Sequence, residues 1–436
     1  MKRFLSVLLA IAALFSLLTA CNNDADTSKG GKVTVTFSGH GDQAEIDVFN
    51  QLVKAFNDKN PDITVKYTPV PADYVTKTST ALMGGGGADV FYVPDANFGQ
   101  WVSQGFLLDM QSYIDQSSLN MGDVWPNAIE RYRYDGTNTW KGNVYSLPKD
   151  LGPTVLYYNK DLFKSMGVEF PPADRPMTWA ELLDRCKKLS KDLDGDGAND
   201  QFGIGPIWWE SFIWSNGGDV LSEDRKTFVM NEPAAVEGLQ FAADLATVHK
   251  VCPNVQERQT MGDVQMFSTG RLGMVFGGRW YTPSFRKLSF DWDVCYLPTG
   301  SKNIVSGWSG TVGLSINKKC KNPDAAFKFI EFVSGEEGQK AQTELGFTLP
   351  IYKSMAESDV FRQPGQKPES ADVFIKSAEM QTPTPNTWLP NLKWWDVFEG
   401  ALSDVWEGKK SAKAAMDEVK PQVEEAIKEG NPHLFK

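Results

Sequence analysis

The sequence predicts an α/β protein of two or more globular units, on three observations. The chain runs to 436 residues, more than one hydrophobic core ordinarily serves. Between Val33 and Val93 strand-like and helix-like patterns alternate, the order of a parallel sheet with helices on its faces. Mid-chain, Thr154-Val155-Leu156-Tyr157-Tyr158 is a β-branched and aromatic run ending at Asn159-Lys160-Asp161. It reads as a buried strand, and Pro148 and Pro153 hold the segment before it extended.

Val33, Val35 and Phe37 alternate as a first strand. A helix follows from about Asp42, with Ile46, Phe49, Leu52, Val53 and Phe56 on one face, and Asn60-Pro61 ends it. Ile63, Val65 and Tyr67 give a second strand, Asp73 to Met83 a second helix, and Asp89 to Val93 a third strand. Gly84 to Gly87 follow a helix and precede a strand, the reverse of a phosphate loop, so they read as a turn. His40-Gly41-Asp42 and Pro94-Asp95-Ala96-Asn97 sit at C-terminal strand ends, where ligands of open α/β sheets bind. Asp and Asn also favour helix N-caps, so both roles stay open for Asp42 and Asp95.

In the second half, Thr178 with Glu181 forms a capping-box pattern ahead of a helix with Leu182, Leu183, Cys186 and Leu189 inward. Pro233 to His249 reads as a helix; Gln265 to Phe276 as a short helix and a strand; Trp292 to Tyr296 as a strand. Ser306 to Asn317 is glycine-rich and then strand-like. Pro323 starts a helix carrying Phe327, Ile330, Phe332 and Val333, and Lys409 to Ala426 is a charged amphipathic helix.

Lys2-Arg3 and the apolar stretch Phe4 to Leu18 have the form of a secretory leader, shorter than a membrane span. Leu18-Thr19-Ala20-Cys21 resembles a bacterial lipobox. That resemblance implies a leader over 1–20, cleaved before Cys21, with lipid on the Cys21 sulfur and new amino group. A plain secretory signal followed by a chance cysteine is the alternative. Residues 21–32 are polar and read as a tether reaching about 20 Å. Cys186, Cys252, Cys295 and Cys320 are widely spaced with no CxxC, which disfavours a zinc knuckle; they allow disulfides in an oxidising compartment or buried free thiols. The net charge of −11, more negative once Lys2 and Arg3 are removed, argues against nucleic acid. Three histidines argue against a His-rich transition-metal site.

LPKDLGPTVLYYNKDLF, GGRWYTPSF, NPDAAFKFIEFVSGEEGQK and GKKSAKAAMDEV occur in this order. With the lipobox, they resemble the extracellular solute-binding proteins of the maltose-binding-protein-like family 1. The resemblance implies a two-lobed periplasmic-binding-protein-like fold with a ligand cleft beside a hinge of crossing strands. Lobe 1 would hold 33–148 plus 311–350, and lobe 2 would hold 149–310 plus 351–436. It implies a monomer, without enzymatic activity, anchored by lipid alone on the outer face of the bacterial cytoplasmic membrane. Such a protein delivers carbohydrate to the permease subunits of an ABC importer by hinge closure.

A sugar site wants flat aromatics for ring faces and carboxylates, amides or Lys for hydroxyls. By resemblance Trp280 and one of Trp394 and Trp395 are stacking positions. Trp208, Trp209 and Trp308 are further candidates, with Lys149 and Asp150 at the first crossing and His40, Asp42 and Asp95 at strand ends. Core packing is the alternative for each tryptophan, and Trp101, Trp125, Trp179, Trp292 and Trp406 are assigned to it. The loop VPDANFGQW departs from maltose-type proteins, which carry an Asp-Arg pair there.

Asp192, Asp194, Asp196 and Asp200 occupy positions 1, 3, 5 and 9 of a loop with glycine at position 6, a calcium-like pattern. The Ala198 carbonyl and Gln201 would complete an oxygen shell around a structural Ca²⁺, whereas position 12 is Gly203 rather than Glu. An exposed Asp-Gly turn is the alternative. Two rival functions remain: a receptor for a polyamine or peptide, and a glycoside hydrolase using a carboxylate pair. No GxSxG nucleophile motif or eightfold βα repeat supports the latter.

Overall fold

The computed structural model describes residues 32–205 and 207–436. The leader, Cys21 and nearly all of the tether therefore lie outside the described residues. β1 (Val33–Gly39) buries alternate side chains, as its apolar pattern requires. α1 (Gln43–Lys59) is capped by Asp42, whose carboxylate accepts the Glu45 N–H, and buries Val48, Phe49, Leu52, Val53 and Phe56. β2 (Ile63–Pro69), α2 (Tyr74–Met83), β3 (Val90–Pro94) and α3 (Asp95–Ser103) follow. The chain then reaches three short strands in succession: β4 (Leu147–Pro148), β5 (Gly152–Pro153) and β6 (Val155–Asn159).

α4 (Trp179–Leu189) begins with the capping box between Thr178 and Glu181. Next come β7 (Phe202–Gly205), α5 (Trp209–Ser215), α6 (Pro233–Thr247), β8 (Leu272–Gly277) and β9 (Trp292–Cys295). β10 (Ser309–Gly310) and β11 (Val312–Ile316) return towards the first strands. α7 (Pro323–Ser334) buries Phe327, Phe329, Ile330 and Val333. Phe332 is only partly buried, a departure from the expected face, because the helical phase gives that place to Phe329. α8 (Glu336–Glu344), α9 (Asp372–Met380), α10 (Lys393–Trp406) and α11 (Ala412–Gly430) complete the chain.

The strands form two main sheets. The first has the order β2-β1-β3-β11-β4, with β1 parallel to β2 and β3 and β11 antiparallel to both of its neighbours. The second has the order β9-β6-β8-β7, with β6 antiparallel to both neighbours. Each is wrapped by helices around its own apolar core, giving two lobes. The early β-α-β-α-β order is realised as read, and the late strand β11 inserts beside β3. No helix among the described residues is long and apolar enough to cross a membrane.

The lobes meet where β5 pairs with β10 and Leu151 bridges to Leu349. Gln339, fully buried, stitches two of these passages: its amide donates to the Lys149 carbonyl (2.8 Å) and accepts the Ile351 N–H (2.9 Å). Ile351 and Tyr352 still pack in the first lobe's core, so the chain leaves that lobe after Tyr352. The four cysteines from Cys186 onward are free thiols; Cys186, Cys252 and Cys295 are buried and Cys320 is partly so.

Candidate functional site

A cavity of about 440 Å³ opens beside the crossings. It brings together His40, Asp42, Asp95, Lys149, Asp150, Trp280 and Trp308 from separate parts of the chain. Strand ends supply His40 and Asp42 after β1 and Asp95 after β3, the topological position at which open sheets take ligands. Asp42 is therefore a cap and a cavity residue at once.

The indoles rest on glycines. Gly152 of β5 and Gly310 of β10 face each other in register. A Cβ on Gly152 would stand 2.8 Å from Trp280, and one on Gly310 would stand 2.7 Å from Trp308. Only hydrogen at those α-carbons lets the rings lie flat on the backbone. Trp280 and Trp308 are nearly parallel with centroids 6.3 Å apart, and Trp208 continues the row 4.9 Å from Trp308.

The floor is ionic. The Lys149 side chain is 2% exposed, with Nζ 3.1 Å from Glu45 Oε1 and 2.5 Å from Asp150 Oδ2. The ammonium also faces the rings of Tyr92 (5.1 Å), Phe347 (5.3 Å) and Phe49 (5.6 Å). Burial alone would lower the Lys149 amine, but Asp150 and Glu45 outweigh it and hold it above its ordinary value. Burial raises the Glu45 carboxyl against the pull of Lys149. The His40 imidazole is lowered to about 4, first by burial and then by the Lys149 charge, so it stands neutral near pH 7.

Asp95 meets a fully buried guanidinium: Arg131 Nη1 is 2.5 Å from Asp95 Oδ2 and 2.7 Å from the Ser309 carbonyl. Burial raises the Asp95 carboxyl and Arg131 opposes that rise. The partner of Asp95 thus comes from 36 residues further along the chain, and Arg131 itself does not line the cavity.

Four expected platform residues stand apart from the cavity lining. Trp208 is half-buried beside Trp308. Trp209 and Trp395 stack on each other at 6.2 Å in the second lobe's core, and Trp394 has no exposed surface. The phase of α10 turns Trp394, Trp395, Phe398, Leu402 and Val405 inward together, so Trp394 is a packing residue and presents no face to a ligand. Of the tryptophans assigned to the core, Trp101, Trp125 and Trp292 are buried, and Trp179 and Trp406 pack partly buried against it. The sequence reading missed Glu45, Arg131, Tyr281 and Phe347. Glu45 had a signal, three residues after the Asp42 cap; Tyr281 adjoins Trp280; the Arg131 pairing leaves no local trace.

In the aspartate loop, Asp192, Asp194 and Asp200 bring carboxylate oxygens within 4.8 Å of one another. Asp196 is outside that group, its carboxylate accepting the Ala198 N–H. Gln201 is buried, and its amide donates to the Leu189 carbonyl at 2.6 Å. The Asp192 carboxyl is lowered by the Gly197 and Gly195 N–H groups.

Comparison with known proteins places this architecture. Galactooligosaccharide-binding protein of Bacillus subtilis is 24% identical, covering 98% of each chain, and maltodextrin-binding protein of the same organism is 24% identical, covering 97% of each. An ABC substrate-binding protein of Listeria monocytogenes, solved in complex with cycloalternan, superposes with a TM-score of 0.81 at 24% identity, covering 91% of this chain and 99% of that one. The family model for bacterial extracellular solute-binding proteins matches residues 40–340, a span that runs from the end of β1 through β11 and holds every cavity-lining residue except Phe347. The chain belongs to the bacterial extracellular solute-binding protein family.

Proposed function

We propose that the protein binds an oligosaccharide between its lobes and hands it to the permease of an ABC importer, without turning it over. The observation that carries this reading is the indole pair, Trp280 and Trp308, seated on Gly152 and Gly310 beside Asp42, Asp95 and Asp150. Flat rings suit the C–H faces of a sugar and carboxylates accept its hydroxyls. The names of the Bacillus relatives, for galactooligosaccharide and maltodextrin, agree with it. Closure follows from bending where β5 and β10 pair. The protein acts as a monomer outside the cytoplasmic membrane, held by lipid on Cys21.

The test is a tryptophan-fluorescence titration of the chain beginning after Cys21, against mono- and oligosaccharides, amino acids and polyamines. A saturable shift with one glycan class, and no product by chromatography, supports the reading. A response to polyamine or peptide alone refutes the sugar assignment, and disappearance of the glycan refutes the receptor.

We further propose that Asp192, Asp194 and Asp200 hold a structural Ca²⁺. Their converging carboxylates are hard oxygen donors and would repel one another without a cation. Calcium should raise the melting temperature of the parent and leave Asp194→Asn unmoved; no rise in the parent discards the proposal.

A further inference from the structure

Lobe 2 also touches lobe 1 outside the crossings, and one such contact lies in the segment ahead of α10. The chain leaves the crossing region at Gln381, which bonds Thr154, and re-enters lobe 2 at α10. Between them Leu389 is anchored in the second lobe's core, 2% exposed. The residues around it lie against lobe 1. Thr139 Oγ1 donates to the Trp388 carbonyl (3.1 Å), and Trp140 Nε1 donates to the Thr387 carbonyl (3.1 Å). From the other side, Arg225 Nη1 of lobe 2 donates to the same Trp388 carbonyl at 2.7 Å. Helix α3 comes so close that a Cβ on Gly99 would stand 2.8 Å from Pro390 Cα and 3.3 Å from the Leu389 carbonyl.

We infer that this seam, Thr139-Trp140 and Gly99 against Thr387 to Pro390, forms when the lobes close and sets ligand affinity through residues that never touch the ligand. Leu389 packs in the second lobe's core, and Phe98 and Trp101, on either side of Gly99 in α3, pack in the first, so the lobes cannot part with the seam intact. The cavity lining includes none of these residues. A receptor that binds through its closed form has its affinity scaled by the fraction closed, and every contact made only on closing raises that fraction. The inference rests on the reading of the chain as a two-lobed receptor that closes on its ligand.

Gly99 makes the test selective. It lies within α3, where alanine is the better helix former. Gly99→Ala therefore gains helix propensity in lobe 1, where its methyl comes nearest the Thr139 side chain at 3.3 Å, while across the seam it stands 2.8 Å from Pro390 backbone. The expected result is an unchanged or higher melting temperature, about tenfold weaker binding of maltotriose, and a larger radius of gyration than the parent by small-angle scattering at a maltotriose concentration that half-saturates the parent. Thr139→Val, close to isosteric, should weaken binding about three- to tenfold without opposing closure sterically. Affinity and radius unchanged in both variants would show that residues 387–390 ride with lobe 1, and would overturn the inference. If the parent ignores maltotriose, both variants are titrated with the glycan that shifts the parent's tryptophan emission: weaker binding in both supports the seam, and unchanged affinity in both overturns it.

Discussion

Replacing Lys149 by methionine tests whether the floor of the cleft is held by charge. The ammonium lies 3.1 Å from one carboxylate and 2.5 Å from another, with 2% of its side chain exposed. At an effective permittivity of about 20, those separations correspond to attractions of about 5 and 7 kcal/mol before desolvation is charged against them. Removing one member of such a buried set leaves its partners uncompensated and costs about 3–5 kcal/mol. The melting temperature should then fall by about 6–12 °C. The pH profile identifies the cause. In the parent, a Lys149 amine raised in the folded state contributes stability fully present below its unfolded value and lost only as pH rises through the folded one, beyond pH 10. That contribution is flat from pH 5 to 8. In the variant, Glu45, already raised by burial, loses its cation. Carboxyls raised on folding contribute stability at low pH that disappears as pH rises. The deficit of Lys149→Met should therefore widen from pH 5 to pH 8 in calorimetry, and Glu45→Gln added to it should recover part of the loss at pH 8. A deficit below about 1 kcal/mol, or one that is constant with pH, would refute the reasoning.

Gly310→Ala and Gly152→Ala should each displace an indole, shifting tryptophan emission and weakening glycan binding by at least tenfold with little change in melting temperature; unchanged emission and affinity would mean the rings do not rest on those α-carbons. Glu210, half-buried in the first turn of α5, has its carboxyl raised to about 7 by burial and then by Glu399. Because its folded value lies above its unfolded one, stability is lost as pH rises through 7, by up to about 2 kcal/mol; Glu210→Gln should flatten that slope in melting curves from pH 5.5 to 8.5. With Cys186, Cys252 and Cys295 buried and unpaired, a thiol reagent should modify those three only on denaturation, while Cys320 reacts faster; rapid modification of all four under native conditions contradicts their placement.

The elements of this fold were legible wherever the pattern was local. Alternation gave β1 and β2, the Thr178 and Glu181 spacing gave the start of α4, and the glycines after α2 were a turn. Asp42 shows why cap and ligand contact need not be alternatives: one carboxylate oxygen serves the helix, and its position at a strand end puts the residue in the cavity. Tryptophan was the difficult letter. Trp394 and Trp395 matched a stacking position by resemblance, but they share a helical face with Phe398, Leu402 and Val405, and that phase places them in the core. Periodicity along the helix was the better guide there. The Asp95–Arg131 pair and the Gln339 stitch join residues far apart in the chain, and nothing in either neighbourhood announces the partner.

The site and the hinge share residues. Asp150 holds Lys149 with one oxygen and accepts the Val312 N–H with the other at 3.0 Å, while its carbonyl accepts Thr311 Oγ1 at 2.6 Å. Two residues on, Gly152 carries Trp280 and faces Gly310, which carries Trp308. A ligand lying on those rings therefore rests on the paired strands about which the lobes must bend. Binding cannot be remote from the conformational change, since any shift in the strand pairing moves both rings together. The same proximity gives a reason for pairing the charges beneath: an unpaired ion at a bending point would gain water on opening and lose it on closing, and its desolvation would oppose the closed form. With Lys149 between Glu45 and Asp150, and Arg131 against Asp95, the floor passes through closure with its ions already paired.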